Sequence, residues 1–207
     1  MVRHRYIQNE VLKLYRSLAT INYPINPLAL FCGLENSRII SYQELASTSG
    51  CSLAEITAIC ESESGCTHYN KAADRYLTLY NSSNAGNNVD GRIRWTVAHE
   101  LGHVVLEHLP IMAVMQIAEN NFNNISDPEL EQEADFFAAT LLCPFPAYEI
   151  LGIRSPRDIQ DTFGLSEEAS RNRMTQYSRW RGSRVKTSWE NDMKRLIATS
   201  YSRTTLV

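Results

Sequence analysis

The chain has 207 residues, of which 43 % are hydrophobic and 21 % charged, an ordinary composition for a globular protein with a hydrophobic core. This length predicts one domain, or one domain with a small appendage. The N-terminal residues contain no apolar run of signal-peptide type, and no segment approaches the roughly 18 apolar residues that a membrane span needs. These features predict a cytoplasmic protein without a membrane partner.

The five cysteines are scattered and form no CxxC pair: Cys32, Cys51, Cys60, Cys66 and Cys143. An odd number without paired spacing predicts reduced thiols in a cytoplasm, and it argues against a cysteine-based zinc site.

The net charge of −3 conceals an uneven distribution. Residues 1–153 contain 9 Lys/Arg and 17 Asp/Glu, whereas residues 154–207 contain 11 and 6. The basic C-terminal end can face an acidic partner, nucleic acid or the acidic body of its own chain, and the sequence leaves these possibilities open.

Hydrophobic periodicity and capping residues predict the elements of the first half of the chain. Residues 6–19 form an amphipathic helix, and Asn26 caps a short helix that starts at Pro27. Further predicted elements are a strand leading into a turn or short helix at 37–45, a helix at 53–61 and a strand at 75–81.

In the second half, Asp90 is expected to cap a helix that runs to about His108. Asp127 precedes a helix that continues to Leu142, where two prolines, Pro144 and Pro146, end it. Residues 155–180 are predicted to form a helix, a turn and a helix, and part of the tail is helical near 189–198.

The stretch HELGH, residues 99–103, is an HExxH motif within an otherwise apolar segment, 95–106. This predicts a helix buried nearly all round, where each unsatisfied polar group costs about 1–3 kcal/mol. A metal ion removes that cost, because His99 and His103 share one helix face and Glu100 can reach a metal-bound water. The alternative is a chance match, with both histidines satisfied by backbone carbonyls.

A catalytic zinc usually has three protein ligands and one open position. His108 comes five residues after His103, on the opposite side of the predicted helix, and is expected to be a surface or helix-end residue. The remaining candidates lie at 127–144. Glu131 and Glu133 flank the apolar stripe of that helix on opposite sides, each about 80° from its centre, so the pattern leaves both open.

The segments GRIRWTVAHELGHVVLEH (91–108) and EQEADFFAATLLCP (131–144) together resemble the ImmA/IrrE family of bacterial and phage metallopeptidases. The family pattern is matched by Tyr80-Asn81, by Arg94 to His103 and by Glu133 to Pro144, with Asp135 where asparagine is common. The resemblance covers roughly residues 75–146.

This resemblance implies an α+β, zincin-like fold, in which a small β-sheet packs on the HExxH helix and a second, Glu-bearing helix, with a small helical C-terminal part. It implies one Zn²⁺ per chain, bound by His99, His103 and Glu133, with Glu100 as the general base. It also implies the substrate, a helix-turn-helix transcriptional repressor of a phage, mobile element or stress regulon.

By analogy with zinc peptidases, the strand at 75–81 is expected to offer an edge to the substrate peptide, with Tyr80 and Asn81 as substrate-binding residues. An oxyanion-stabilising residue is also needed. The sequence does not rank its candidates, which are Tyr69, Tyr80, Tyr177 and His68.

The expected domains are a metallopeptidase domain at 1–150, a helix-turn-helix-like subdomain at 151–181 and a basic tail at 182–207.

Two other functions stay open: a DNA- or repressor-binding module with a vestigial or structural metal, and an anti-repressor that acts without proteolysis. Glu167 and Glu168 begin the second predicted helix and would repel phosphates, so nucleic acid is not the expected partner. The oligomeric state is not predicted.

Overall fold

A computed structural model describes residues 1–83, 89–110, 127–182 and 187–204. The fold is mixed α+β, as expected, with a small three-stranded sheet among many helices. In chain order the elements are α1 (His4–Ser17), α2 (Pro27–Phe31), β1 (Ser37–Ser41), α3 (Tyr42–Ser49), α4 (Leu53–Cys60), β2 (Gly65–Asn70), β3 (Arg75–Tyr80), α5 (Val89–Val105), α6 (Pro128–Leu142), α7 (Phe145–Leu151), α8 (Pro156–Phe163), α9 (Glu167–Gly182) and α10 (Ser188–Thr204).

Local sequence signals account for most of these elements. The Asn26 side chain accepts a hydrogen bond from the Leu28 backbone at the start of α2, and Ser52 with Glu55 forms a capping box on α4. The predicted pair of helices at 155–180 is present as α8 and α9, and α10 is longer than predicted. The sequence did not predict β2 or α7, and α5 begins at Val89, before its expected cap.

The chain folds as two compact units. The first contains Met1–Arg3 and Asn26–Ala138, and the second contains His4–Ile25 and Ala139–Val207. The division lies within α6. The division into segments 1–150, 151–181 and 182–207 stays a prediction.

The sheet of the first unit has the order β1-β3-β2, with β1 parallel and β2 antiparallel to β3. Tyr80 of β3 is paired with Ser41 on one side and with Gly65 on the other. The expectation that this strand offers a free edge is therefore wrong, because both of its edges are hydrogen-bonded. The edges of the sheet are β1 and β2, and β2 has the sequence GCTHYN, which lacks a clear apolar alternation.

The two faces of the sheet carry different neighbours. On one face Gly65 lies against α5, where a Cβ would stand 2.7 Å from Thr96 Cγ2 and 3.6 Å from Glu100 Cγ. On the other face a core forms from side chains of α3, α4 and β3, namely Tyr42, Ile56, Cys60 and Leu79. The missing side chain at Gly65 thus lets the edge strand approach the HExxH helix closely.

The second unit is helical and has an aromatic core. Tyr148 stacks on Phe163 and lies 4.5 Å, between ring centroids, from Tyr177. The Arg173 guanidinium is 4.0 Å from the Phe145 ring centroid, and its Nη2 donates to the carbonyl of Cys143 at 2.6 Å. Arg173, one of the arginines of the basic C-terminal end, is therefore a structural residue that caps the end of α6.

One segment of the described chain, Pro128–Leu151, is long and apolar enough to cross a membrane by length and composition alone. This segment was not predicted from the sequence. In the structure 61 % of its most apolar window is buried inside the protein, and a break at Cys143 and Pro144 separates α6 from α7. Such burial is typical of the core helix of a globular unit.

Gly102 allows α5 and α6 to approach each other closely. A Cβ at this position would lie 3.1 Å from Phe137 Cδ1 and 3.3 Å from Ala134 Cα. Gly102→Ala is therefore expected to lower the free energy of unfolding by about 1–3 kcal/mol, because the packed helices must shift. Gly182→Ala is the matched control, because nothing lies within 4 Å of its Cβ position. Chemical denaturation measures both, and equal stability of Gly102→Ala and wild type would contradict this packing.

Candidate metal centre

His99 and His103 lie one turn apart on α5, and their ring nitrogens converge. The two Nε2 atoms are 3.1 Å apart, and the ring centroids are separated by 4.9 Å. The His103 side chain is 9 % exposed and that of His99 is 17 % exposed, so the pair opens toward solvent at His99. Two nitrogens at this distance repel each other unless a proton or another cation lies between them.

Glu131 of α6 brings a carboxylate to the same point. Its Oε2 is 3.2 Å from His99 Nε2, and its Oε1 is 3.6 Å from His103 Nε2. Two ligands bound tetrahedrally to zinc at about 2.0–2.1 Å stand about 3.3 Å apart. The separations of these three groups therefore fit one zinc ion, and two imidazoles with one carboxylate form a ligand set found in catalytic zinc sites.

Glu133, the third ligand implied by the family resemblance, lies elsewhere in this structure. Its carboxylate accepts hydrogen bonds from the Arg3 backbone at 2.7 Å and from Arg3 Nε and Nη2 at 3.0 and 2.6 Å. Two residues along a helix correspond to a rotation of about 200°, so Glu131 and Glu133 point to different sides of α6. The geometry therefore makes Glu131 the candidate third ligand, and ligation by Glu133 stays a prediction.

His108 also differs from its expected place. It is fully buried rather than a surface residue. The helix ends at Val105, and Glu107 adopts a φ of 56°, so the chain turns back. This turn places His108 Nδ1 3.1 Å from His103 Nδ1 and His108 Nε2 3.2 Å from Glu133 Oε2. The predicted helix continued through this turn, and His108 was therefore expected on the wrong side.

These contacts fix which nitrogen of each histidine faces the candidate site. Burial and the nearby His103 lower the pKa of His108 to about 4, so this ring is neutral at pH 7. Its Nε2–H donates to Glu133, and its Nδ1 accepts a hydrogen bond from His103 Nδ1–H. His99 Nδ1–H donates to Asp135 Oδ1 at 3.0 Å in the same way. Both Nε2 atoms are thus left to bind an ion, as in metal sites whose histidines are oriented by outer groups.

The electrostatic surroundings favour a positive charge at this point. Burial lowers the pKa of His99, but hydrogen bonds to Asp135 and Glu131, with the charge of Glu100, raise it to about 10. Hydrogen bonds from His103 and His99 hold the pKa of Glu131 well below its usual range. A cation is therefore stabilised among these carboxylates, and a divalent metal ion can replace the proton of His99.

Glu100 is held by a residue that sequence reasoning missed. The Thr67 hydroxyl donates to Glu100 Oε2 at 2.7 Å, and Thr67 Oγ1 is also 2.9 Å from Thr78 Oγ1. Glu100 is 7 % exposed, and Thr78 is fully buried. No motif marks Thr67, because only the pairing of β2 beneath α5 brings it to the glutamate.

The other predicted site residues have structural partners. Asn81 Oδ1 accepts from Gln43 Nε2 at 2.8 Å, and Asn81 Nδ2 donates to the Glu63 carbonyl at 3.0 Å. Tyr69 donates to Asp74, and Tyr177 is buried in the second unit. Substrate binding by Tyr80 and Asn81 stays a prediction, and His68 belongs to a different cluster described below.

His108→Phe tests the hydrogen-bond chain from Glu133 to His103. The change keeps an aromatic ring but removes both of its hydrogen bonds, so His103 is no longer oriented. Zinc affinity is expected to fall about 10- to 100-fold, the usual effect of losing an outer partner of a histidine ligand. Competition with a chromophoric chelator measures the affinity of the folded protein. Wild-type affinity in this variant would exclude the orienting role.

Residues 85–175 match the family model described as Peptidase_M78, the IrrE N-terminal-like domain. The matched segment contains the described HExxH helix and the helix that carries Glu131 and Glu133. No curated protein matches the chain.

Proposed function

The chain carries an IrrE N-terminal-like domain of the ImmA/IrrE family at residues 85–175, and from this premise we propose that it is a zinc-dependent endopeptidase. The family supports a metallopeptidase-type function. The observation that carries the proposal furthest is the convergence of His99 Nε2, His103 Nε2 and the Glu131 carboxylate at mutual distances of 3.1–3.6 Å.

In this proposal His99, His103 and Glu131 hold one zinc ion. The bound ion supplies a water of lowered pKa and polarises the scissile carbonyl. Asp135 and the chain from Arg3 through Glu133 to His108 keep the two imidazoles in the tautomer that leaves Nε2 free. Glu133 is thus retained in the site as an orienting residue, which accounts for its burial and its five hydrogen-bond contacts.

Glu100 acts as the general base. It lies on the same helix as the two histidines, about 100° round from His99, so its carboxylate reaches the neighbouring space. It takes a proton from the attacking water and returns that proton to the leaving amine. Thr67 donates to one oxygen, Oε2, and thereby leaves the other oxygen, Oε1, to accept the proton.

The substrate peptide is proposed to add to the outer edge of β2. Within the residues that the structure describes, no strand pairs with this edge, and the opposite edge of β2 is bonded to β3. Because Gly65 and Thr67 of β2 face α5, a peptide paired with this strand would pass beside Glu100.

The proposed substrate is a helix-turn-helix transcriptional repressor, as the family resemblance implies. The test is incubation of the purified chain with the repressor encoded nearest to its gene, followed by mass spectrometry of the products. We expect one discrete cleavage, which a chelator stops and added zinc restores. An intact repressor under these conditions, with zinc bound to the enzyme, would contradict this substrate.

Binding without cleavage and binding to DNA remain the alternatives. Arg173 is buried against Phe145, and the exposed Arg171 pairs with Glu167, so these arginines are engaged within α9 and its unit. These contacts favour a packing role for α8 and α9 over a DNA-reading role. Titration with duplex DNA at low salt tests this directly, and strong salt-dependent affinity would revive the DNA-binding alternative.

A further inference from the structure

A second group of metal-ligating side chains lies on the sheet face that does not contact α5. It consists of Cys60 at the end of α4 and of Cys66 and His68 on β2, and their ligand atoms all lie within 4.8 Å of one another. The Cys66 Sγ is 3.5 Å from His68 Nε2. The sequence spacing did not indicate this group, because the fold joins the two cysteines across the turn between α4 and β2.

Strand geometry explains why these two β2 residues act together. Side chains two residues apart on a strand point to the same face, so Cys66 and His68 share one face while Thr67 points to the other. Cys66 packs against the core that contains Cys60, and His68 is exposed. The group therefore runs from the core outward to solvent, as a site needs if an ion is to enter.

The distances suit a soft divalent ion. A thiolate bound to zinc at about 2.3 Å and an imidazole at about 2.0 Å stand roughly 3.5 Å apart in a tetrahedron, close to the observed Cys66–His68 separation of 3.5 Å. Thiolate and imidazole ligands select zinc and similar metals over magnesium or calcium. Burial raises the pKa of the Cys66 thiol, so this thiol is protonated until an ion displaces its proton to solvent.

We propose that Cys60, Cys66 and His68 form a second metal site, which binds one zinc or similar soft divalent ion and leaves its fourth position to solvent. This site is separate from the HExxH centre and does not depend on the proposed peptidase activity.

The site has a structural consequence for the first centre. Its two β2 ligands are the chain neighbours of Thr67, whose hydroxyl donates to Glu100 at 2.7 Å. An ion held by Cys66 and His68 therefore fixes the backbone on both sides of Thr67, and with it the position of the residue that contacts the general base.

Cobalt titration of the full chain, kept reduced with a phosphine, tests the proposal. Cobalt bound by cysteine gives an intense thiolate-to-metal charge-transfer absorption, which a site of histidine and carboxylate cannot give. We expect this absorption in the wild type, its loss or large reduction in Cys60→Ser and Cys66→Ser, and a shift of the visible cobalt bands in His68→Gln. The exposed His68 keeps the test valid if a core cysteine variant fails to fold.

Cys51→Ser is the matched control, since Cys51 packs against the same core but is not among the three ligands. It should retain the wild-type absorption. The proposal is overturned if the wild type shows no charge-transfer absorption, if Cys66→Ser leaves it unchanged, or if Cys51→Ser removes it. A chain that fails this test can still bind zinc at the HExxH centre, which the same titration detects through visible bands without charge transfer.

Discussion

Glu100→Gln is expected to bind zinc like the wild type and to cleave its substrate about 100- to 10,000-fold more slowly in kcat, the usual contribution of a general base. Glutamine has nearly the same volume, and its amide oxygen can still accept the hydrogen bond from Thr67. The amide cannot take a proton from the attacking water. The variant therefore slows the chemical step of cleavage and keeps the zinc ligands intact.

The measurement is a cleavage time course, with the zinc content determined on the same preparation. Thr67→Val is the companion variant, because valine keeps the shape but cannot donate to Glu100. We expect Thr67→Val to lose less activity than Glu100→Gln, since the base is present but less well oriented. Wild-type turnover by Glu100→Gln would mean that another group accepts the proton.

Glu131→Ala is expected to abolish tight zinc binding, whereas Glu133→Ala is expected to weaken it about 10- to 100-fold. Glu131 faces both Nε2 atoms, at 3.2 and 3.6 Å, and its loss removes a ligand. Glu133 contacts Arg3 and His108, so its loss affects zinc binding through the orientation of His103 and removes no ligand.

Glu133→Ala has a second expected effect that Glu131→Ala lacks. It leaves the buried His108 without an acceptor, so the free energy of unfolding should fall by about 1–3 kcal/mol. Zinc titration and denaturation of both variants separate the two roles. Retained zinc in Glu131→Ala together with lost zinc in Glu133→Ala would restore the ligand implied by the family pattern.

The sequence was sufficient for the parts of the site that depend on one helix. HExxH spacing alone places His99 and His103 on one face, and capping and proline signals locate α6 to within a residue. The spacing of apolar residues in α6 could not decide between Glu131 and Glu133 as the zinc ligand, because both flank the apolar stripe equally. The choice depends on which side of α6 meets α5, and Glu133 was predicted from the family pattern rather than from helix geometry.

Other parts depended on tertiary structure that local signals do not encode. One left-handed residue, Glu107, turns His108 back into the core, and a continuous helix predicts the opposite side. The apolar composition of β3 predicted a strand but not its central position, since the partner strand β2 is polar and was not recognised. Thr67 and the group of Cys60, Cys66 and His68 meet their partners only through that strand.

The number of zinc ions bound by the full chain decides whether the HExxH helix holds a metal ion. Native mass spectrometry of the wild type and of the His99→Ala/His103→Ala double variant, both saturated with zinc, gives the difference between them. We expect the double variant to bind one zinc ion fewer, and Glu100→Gln to bind as many as the wild type. Equal numbers in the wild type and the double variant would mean that the HExxH helix holds no metal, and the peptidase proposal would fail.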